Sequence, residues 1–422
     1  MIRIRRRVKR KIKSILLIIC IILLVLFGSS TYFKYEKNKK FETNKIKNEE
    51  ELISKIQNSY SKYIKVKKGS SLYKKEGNKY IETLKIKSEK DFTLGDIEID
   101  KNTKYFYIEE LKFYVRYQDV IKVDSLVSKD VRYKNYLPFN ENVITKDKVN
   151  LYQNNEVIYE LYFKLDVPII EKSSEGVYVD INNELYLIKN EDIFSTYECE
   201  NTLLVEATSV PVTVYHFIYL EGDTSCRESI CHSEKQIRSH FNYLRENNFF
   251  TLTTTELGKF IDGKIRLPEK SLLITIDDGA RAWNFVPLLE EYQVNATLFL
   301  VSSWYDKAQF SSSYMELASH THNLHTPRVC SGGQGSPLKC ADRDMLVNDL
   351  KTSRETLNGT KAFCFPFYEY NDYALSVIEE AGFEMGFIGG HKNATKGINK
   401  LKIPRVPLTD YTTLEQYIKI IS

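Results

Sequence analysis

The seven cysteines of this 422-residue chain include no Cys-x-x-Cys pair, and this lack argues against a zinc ribbon. Apart from Cys20, the first 198 residues contain no cysteine at all. The later cysteines include two close pairs, Cys226/Cys231 and Cys330/Cys340. Both spacings can close a small disulfide loop in an oxidising compartment, and the alternative is that these thiols remain unpaired.

A large basic surface is also missing from the chain. Residues 1–13 carry eight Arg or Lys and no acid, so the formal net charge of +4 leaves −4 on the remainder. No nucleic-acid-binding motif occurs either. We therefore expect no nucleic-acid partner.

Charged residues are absent from residues 14–33, which are mostly aliphatic. A helix of this length, at about 1.5 Å per residue, spans the ~30 Å hydrocarbon core of a bilayer. We predict a transmembrane anchor at 14–33 behind a cytoplasmic basic head at 1–13. The protein would then lie in the cell membrane as a single-pass protein, with its N-terminus cytoplasmic and the remainder extracellular. No Ala-x-Ala sequence follows the apolar run, although Gly28-Ser29-Ser30 leaves a cleaved signal peptide as the alternative.

Residues 34–58 intersperse Lys with Glu and contain no Pro or Gly, which predicts a charged helical stalk. The pattern then changes to short β-rich runs separated by turn residues. Leu72-Tyr73-Lys74 recurs as Leu151-Tyr152-Gln153, 79 positions later, and this recurrence indicates duplication. We predict tandem SH3-like β modules at 60–130 (β module 1) and 140–198 (β module 2). Their expected partner is a cell-wall polymer, and a structural spacer is the alternative.

Strand patterns alternate with helix patterns in residues 205–422, which predicts an α/β domain with a parallel sheet or barrel. The clearest strand, SLLITIDDG at 271–279, is a continuous apolar run that ends in two acids and a glycine. In such folds, ligands bind at the carboxyl ends of the strands. Polar or special residues stand at several of these predicted ends: His216, Asp277, Asp278, His320 and Pro366-Phe367.

The stretch SHTHNLH at 319–325 contains three of the chain's seven histidines. One Asp with two His supplies three ligands and leaves an open position for water, as catalytic zinc sites do. A metal there would polarise a carbonyl and lower the pKa of its water toward ~7, while the other acid of the Asp277-Asp278 pair accepts the proton. The alternatives are a helix N-cap for the two acids and a polar loop for the histidines.

Four segments resemble the motifs of polysaccharide deacetylases, the NodB-homology domain of carbohydrate esterase family four. They are TIDDG (275–279), NATLFLV (295–301), SHTHNLH (319–325) and CFPFYEYND (364–372). The resemblance covers about residues 205–422. It implies a distorted (β/α) barrel that removes N-acetyl groups from an N-acetylated hexosamine polysaccharide.

By this resemblance, Asp277 is the catalytic base, and Asp278, His320 and His325 hold a divalent metal. The spacing of the two histidines is similar to that in exported poly-N-acetylglucosamine deacetylases, and His322 is the alternative ligand. Zn²⁺ is the expected ion, although Co²⁺, Ni²⁺ and Fe²⁺ also suit nitrogen and oxygen ligands.

The resemblance also assigns the remaining roles. The backbone N–H groups of Phe367 and Tyr368 are expected to form an oxyanion hole. Arg405 is additionally a candidate for tuning Asp277. The expected substrate-binding residues are His216, Pro366 and Arg405.

Several positions depart from the usual motifs. Leu324 occupies the place of the commoner second histidine, Cys364 stands near the place of an arginine, and Tyr368 replaces a glycine. The late Leu-x-His motif that carries a general acid is absent, which leaves His391 as the candidate acid.

These features predict a membrane-anchored enzyme outside the cytoplasm that deacetylates peptidoglycan or poly-N-acetylglucosamine. The anchor and β modules favour the cell wall, and the histidine spacing favours poly-N-acetylglucosamine. Because Tyr368 replaces a glycine and the late histidine motif is missing, the alternative is a catalytically degenerate wall protein that binds glycan without cleaving it.

Overall fold

The structure is a computed structural model, and the part of the chain that it describes is residues 32–48, 50–56, 62–100, 103–126, 131–199, 205–223, 225 and 228–422. The predicted basic head and nearly all of the predicted membrane anchor lie outside this part. Residues 32–48 and 50–56 are helical, where the sequence predicts the stalk. Within the described ranges, no helix combines the length and the apolar character needed to cross a membrane.

The chain divides into two compact units, one of residues 1–128 with 154–162 and one of residues 129–153 with 163–422. This division differs from the predicted modules, because residues 154–162 belong to the first unit although the sequence assigns them to β module 2. The second unit combines the rest of β module 2 with the α/β domain.

The first unit is an antiparallel β structure. Strand β1 (Tyr63–Val66) pairs with both β4 (Lys90–Asp100) and β7 (Val120–Val123). Tyr63 therefore lies opposite Thr93 on one side and Val123 on the other. Ile64 and Val66 of β1 are fully buried. The strands of this unit are β1 (Tyr63–Val66), β2 (Ser71–Glu76), β3 (Lys79–Ile86), β4 (Lys90–Asp100), β5 (Thr103–Ile108), β6 (Phe113–Arg116), β7 (Val120–Val123) and β10 (Glu156–Leu161).

The β part of the second unit is also antiparallel. Its strands are β8 (Glu141–Thr145), β9 (Val149–Gln153), β11 (Asp166–Lys172), β12 (Gly176–Asp180), β13 (Leu185–Lys189) and β14 (Ile193–Glu198). The 3-10 turn Asn190–Asp192 joins β13 to β14, as Tyr117–Asp119 joins β6 to β7. This shared strand–turn–strand arrangement agrees with the internal duplication in the sequence. The all-β region is thus confirmed, and its SH3-like character stays a prediction.

Within the second unit, charged contacts join Arg132 and β module 2 to the α/β domain. Arg132 donates two hydrogen bonds to the carboxylate of Glu256, at 3.0 and 2.6 Å. Lys259 donates to Glu171 at 2.8 Å. Both carboxylates are buried, so each of them requires its cation.

The α/β domain is a closed barrel of seven parallel strands. The order around the barrel is β16-β20-β21-β22-β23-β24-β26, and β26 pairs with β16 to close it. The distorted parallel barrel that the sequence predicts is therefore confirmed. The barrel strands are β16 (Val212–Tyr215), β20 (Ser271–Asp278), β21 (Ala296–Leu300), β22 (Met315–Ser319), β23 (Ala362–Cys364), β24 (Met385–Gly389) and β26 (Ile403–Pro407).

Helices and short strands surround the barrel. Helix α2 begins with a capping box between Thr253 and Glu256, as its sequence dictates. The short strands are β15 (Ser209–Val210), β17 (Phe217–Tyr219), β18 (Cys231–Ser233), β19 (Phe250–Thr251) and β25 (Ala394–Thr395). The helices are α1 (Glu234–Glu246), α2 (Thr254–Ile261), α3 (Phe285–Tyr292), α4 (Arg343–Thr356), α5 (Asp372–Glu380) and α6 (Leu414–Ile421).

Strand periodicity separates the inside of the barrel from the outside. Ile274 and Ile276 of β20 pack with α1 and α3 in one apolar cluster. Leu273 belongs to a second cluster with side chains from other barrel strands. Successive strand residues point to opposite faces, so Thr275 and Asp277 lie on the same inner face as Leu273. Because all seven strands are parallel, their carboxyl ends meet at one mouth of the barrel.

Candidate active site

A cluster of one carboxylate and two imidazoles lies at the mouth of the barrel. Asp278 is the last residue of β20, and His320 follows β22 directly. Oδ1 of Asp278 lies 3.3 Å from Nε2 of His320 and 3.2 Å from Nε2 of His325. The structure thus brings together the three predicted metal ligands.

The backbone turns sharply where β20 ends, and this turn separates the two adjacent acids. Asp278 has a φ of 71° and Gly279 a φ of 109°. A Cβ on Gly279 would lie 2.5 Å from Cδ1 of Leu300, so glycine is required both for its conformation and for space. Asp277 therefore remains inside the barrel, while Asp278 reaches its mouth.

The orientation of His320 is fixed by the neighbouring strand. Its Nδ1 donates a hydrogen bond to the backbone carbonyl of Cys364 at 2.8 Å, which leaves Nε2 to face Asp278. Burial lowers the pKa of His325 to about 4, so its imidazole is neutral near pH 7. In both rings, Nε2 therefore faces the same carboxylate oxygen of Asp278.

His322 faces away from this cluster. Its Nδ1 lies 3.0 Å from Oγ of Ser302, and its amide donates to Asp349 at 2.9 Å. The structure thus places the middle histidine of SHTHNLH in contact with residues behind the site, rather than with Asp278.

The donor set fits a divalent metal. The ligand atoms of Asp278, His320 and His325 all lie within 4.8 Å of one another. Two ligands that each bind one Zn²⁺ at about 2.0–2.2 Å are separated by at most ~4.4 Å, so small side-chain adjustments suffice. Two imidazoles with one carboxylate match zinc sites that keep a fourth position open.

Asp277 forms a buried ion pair with Arg405 behind the cluster. The guanidinium donates to both carboxylate oxygens, at 2.6 and 2.8 Å. Asp277 is 2% exposed and Arg405 is fully buried. Burial opposes ionisation of Asp277, but the charge and hydrogen bonds of Arg405 outweigh it and hold the pKa of Asp277 well below its ordinary value.

Arg405 does not lie where a substrate-binding residue would. Its side chain is closed off from solvent, and it contacts Thr275 Oγ1 at 3.1 Å and Cys364 Sγ at 2.7 Å. The buried position of Arg405 therefore does not support its sequence-based assignment to substrate binding. Its position agrees with the other expectation, that Arg405 tunes Asp277.

The turn Pro366–Tyr368 closes another side of the site. Phe367 and Tyr368 have φ values of 60° and 61°. The Tyr368 amide donates to the carbonyl of Phe365 at 3.0 Å, so this N–H is already engaged within the turn. Within the described residues, the amide of Phe367 makes no hydrogen bond, and its ring lies 4.5 Å from that of His325. Of the two predicted oxyanion-hole donors, only Phe367 is free to donate.

The remaining predicted residues, Pro366, His216 and His391, do not all lie at the site. Pro366 is buried and starts this turn. His216 follows β16, is partly buried, and lies within range of the charges on Asp277 and Asp278. His391 is exposed, and no contact within the described ranges joins it to the cluster. The structure therefore brings His216 to the site but not His391.

Three contributors were missed by sequence reasoning. Thr275 could have been found, because period two places it on the same strand face as Asp277. The Cys364 thiol and the ring of Trp304, which lies 5.3 Å from that of His325, depend on contacts between distant segments. Trp304 is 45% exposed, which is unusual for so large an apolar side chain beside a polar cluster.

The barrel, with this cluster at its mouth, belongs to the class of folds that bind ligands at the carboxyl ends of parallel strands. Residues 264–386 match the family model named polysaccharide deacetylase. For residues 264–386, this match confirms the resemblance to polysaccharide deacetylases that the sequence indicates.

Two curated relatives extend the comparison. The chain is 26% identical over 187 residues to the Bacillus subtilis protein YxkH, named as a polysaccharide deacetylase; the match covers 42% of this chain and 63% of that protein. It is 24% identical over 234 residues to an Escherichia coli poly-β-1,6-N-acetyl-D-glucosamine N-deacetylase, covering 43% of this chain and 34% of that enzyme. The chain thus spans less than two thirds of either relative.

Among solved structures, a de-N-acetylase from Aggregatibacter actinomycetemcomitans aligns with a TM-score of 0.45 at 22% identity. The alignment covers 50% of this chain and 99% of that structure.

Proposed function

We propose that this chain is a metal-dependent N-deacetylase that acts on N-acetylglucosamine-type residues of a polysaccharide. The observation that carries the proposal is the Asp278–His320–His325 set beside a buried, ionised Asp277. A hydrolase for an unreactive amide requires an activated water and a base, and this arrangement supplies positions for both.

Each residue of the site has a separate role in the proposed reaction. Asp278, His320 and His325 would hold the metal, which supplies polarisation of the acetyl carbonyl and a more acidic water. Asp277 accepts a proton from that water as its oxygen adds to the carbonyl carbon. The Phe367 amide donates to the oxygen that becomes negative. The carbon–nitrogen bond then breaks, the amine takes a proton, and acetate leaves.

The source of the proton for the leaving amine remains a proposal of its own. His391 is the sequence-based candidate, but its side chain is exposed and apart from the cluster. His216 lies nearer, and its buried Nδ1 has no hydrogen-bond partner within the described residues. A His216→Gln variant with a normal Co²⁺ spectrum and a lost alkaline limb in its pH–rate profile would assign the proton to His216.

Two polymers are candidate substrates. The name of the Escherichia coli relative favours poly-β-1,6-N-acetylglucosamine. The predicted anchor and the SH3-like β modules favour peptidoglycan, which lies against the outer face of the membrane. A comparison of the rates at which the purified full-length chain releases acetate from each polymer decides between them.

We also propose that the barrel lies outside the cytoplasm, attached through residues 14–33. The charge pattern of residues 1–33 supports this location, as does the Cys330–Cys340 disulfide, because such bonds persist in oxidising compartments. Labelling of intact cells with a membrane-impermeant amine reagent should modify the β modules. Labelling only after cell lysis would contradict the location.

The test of the activity is a set of three variants. Asp278→Asn and His320→Ala should each abolish acetate release and lower the bound transition metal. His322→Ala is the matched control, because this histidine faces Ser302 instead of Asp278. Full activity in both ligand variants would overturn the proposal.

One observation favours a second candidate, a glycan-binding protein without activity. The Tyr368 amide is engaged within its own turn, so the site offers one free oxyanion-hole donor instead of two. Such a protein would retain poly-N-acetylglucosamine without releasing acetate, even when loaded with Zn²⁺ or Co²⁺.

A further inference from the structure

The disulfide loop between Cys330 and Cys340 folds around a carboxylate from another segment. Its sequence, SGGQGSPLK, is rich in glycine, and the bond between the two cysteines closes it. Gly333 and Gly335 both have positive φ, at 63° and 80°. Backbone that alternates between left-handed and right-handed conformations turns successive N–H groups toward one point, which makes an anion-binding concavity.

The anion in this concavity is the side chain of Glu369. One oxygen accepts from the amides of Gly335 at 3.1 Å and Ser336 at 2.9 Å, and the other accepts from the amide of Gln334. Lys339 adds a contact at 2.9 Å. Burial opposes ionisation, but these donors lower the pKa of Glu369 below its ordinary value.

The loop sequence is specific for this contact. A Cβ on Gly333 would lie 1.9 Å from Oε1 of Glu369. A Cβ on Gly335 would lie 2.6 Å from the carbonyl oxygen of Cys330. Any other residue at either position would push the carboxylate out or open the loop.

Glu369 directly follows the turn that carries Phe367 and Tyr368. The next polar side chains also bond to the end of the loop: Asn371 donates to the Lys339 carbonyl at 3.0 Å, and Tyr373 donates to the Ala341 carbonyl at 2.8 Å. The segment after the turn is therefore held by three side chains, two of which bind the disulfide loop and one of which binds the residue just after it.

The other end of the loop leads to the metal-ligand set. The Arg328 amide donates to the Gln334 carbonyl at 2.7 Å, only three residues after His325. The rings of His325 and Phe367 are in contact, with centroids 4.5 Å apart. The disulfide loop is thus linked to His325 through Arg328, and to the turn with the free Phe367 amide through Glu369.

We propose that Glu369 is a positioning residue, which acts through the disulfide loop to set the Phe367 amide and the His325 ring against each other. This inference rests on the proposed function, because its effect is on the deacetylation step. It also makes full activity depend on formation of the Cys330–Cys340 bond, so that the enzyme matures where disulfides form.

The test compares Glu369→Gln with Glu380→Gln in the full-length protein. Glu380 pairs with Arg343 at the surface of the same domain, so it controls for loss of a paired carboxylate. With a β-1,6-linked N-acetylglucosamine pentamer, Glu369→Gln should lower kcat about 10- to 100-fold, because small displacements of reacting groups have effects of that size. KM should change by less than about threefold. The double variant Cys330→Ser/Cys340→Ser should show the same split between kcat and KM.

Two further readouts separate positioning from folding and from the proposed function. Hydrogen exchange should show faster exchange at the amides of Gln334, Gly335 and Ser336 in Glu369→Gln, with the barrel strands unchanged. The visible spectrum of bound Co²⁺ should shift because His325 is displaced. Unchanged kcat and an unchanged Co²⁺ spectrum would overturn the inference. If the wild type releases no acetate, the proposed function fails, and an unchanged spectrum in the variant then overturns the positioning role separately.

Discussion

Replacement of Arg405 by methionine is the most direct test of the site's electrostatics. Methionine keeps much of the apolar volume and removes the charge, so Asp277 is left inside the barrel without a cationic partner. Breaking a buried ion pair on one side costs about 3–5 kcal/mol. At about 2–4 °C per kcal/mol, the melting temperature should fall by roughly 6–20 °C.

The measurement is denaturant unfolding of the full-length chain in the presence of a chelator, since a bound metal would stabilise the folded state by itself. The double variant Asp277→Asn/Arg405→Met removes both charges. It should recover most of the loss and lie within about 2 kcal/mol of the wild type. Arg343→Met, which breaks an exposed pair with Glu380, should cost no more than about 1 kcal/mol.

Two results would refute this reasoning. Arg405→Met could unfold within about 1 kcal/mol of the wild type, which would mean that the pair is solvated. Alternatively, the double variant could lose the sum of the two single losses, which would mean that Asp277 and Arg405 are not coupled.

Three further predictions concern other side chains of the α/β domain. His232 and His240 are fully buried or nearly so, and burial lowers the pKa of each from 6.5 to about 4. The unfolded chain therefore binds protons first on acidification, so the free energy of unfolding should fall by up to about 3 kcal/mol per histidine between pH 6.5 and 4; His240→Gln should flatten this fall in denaturant titrations. Gly389→Ala would place a Cβ 2.9 Å from Cγ of Tyr368, and we expect at least a tenfold loss of kcat with Zn²⁺ affinity retained; wild-type kcat would contradict the packing. Trp304→Ala should raise KM on N-acetylglucosamine oligomers by about tenfold, because an exposed ring at the mouth offers a face for sugar; an unchanged KM would exclude that contact.

Long apolar or strongly patterned segments could be predicted from the sequence almost to the residue. The apolar run SLLITIDDG at 271–279 is strand β20, Ser271–Asp278. β24 and β26 were not predicted. Each is short, and each contains glycine or proline (MGFIG and IPRVP), which weaken a strand signal because they remove side-chain packing or a ladder donor.

The site could be predicted where its residues adjoin recognisable strands. Asp277, Asp278 and His320 follow this rule, since each stands at the end of a predicted strand. Arg405 does not follow this rule. Because β26 was not predicted, no strand pattern indicated that its side chain would point into the barrel. The contact between Glu369 and residues 334–336 joins segments that are 33 to 35 positions apart, and no local periodicity encodes such a pairing.

Cys364, which stands near the place of a motif arginine, borders the space that the buried Arg405 occupies. β24 lies between β23 and β26 in the barrel, so a side chain from β26 can reach the interior beside Cys364. The guanidinium of Arg405 lies 2.7 Å from Sγ of Cys364 and binds both oxygens of Asp277. A longer side chain at 364 would occupy the space that this guanidinium fills, so the small side chain of Cys364 leaves room for Arg405. Asp277 therefore has a cationic partner although Cys364 stands near the place of the motif arginine, so this departure gives no support to a degenerate site.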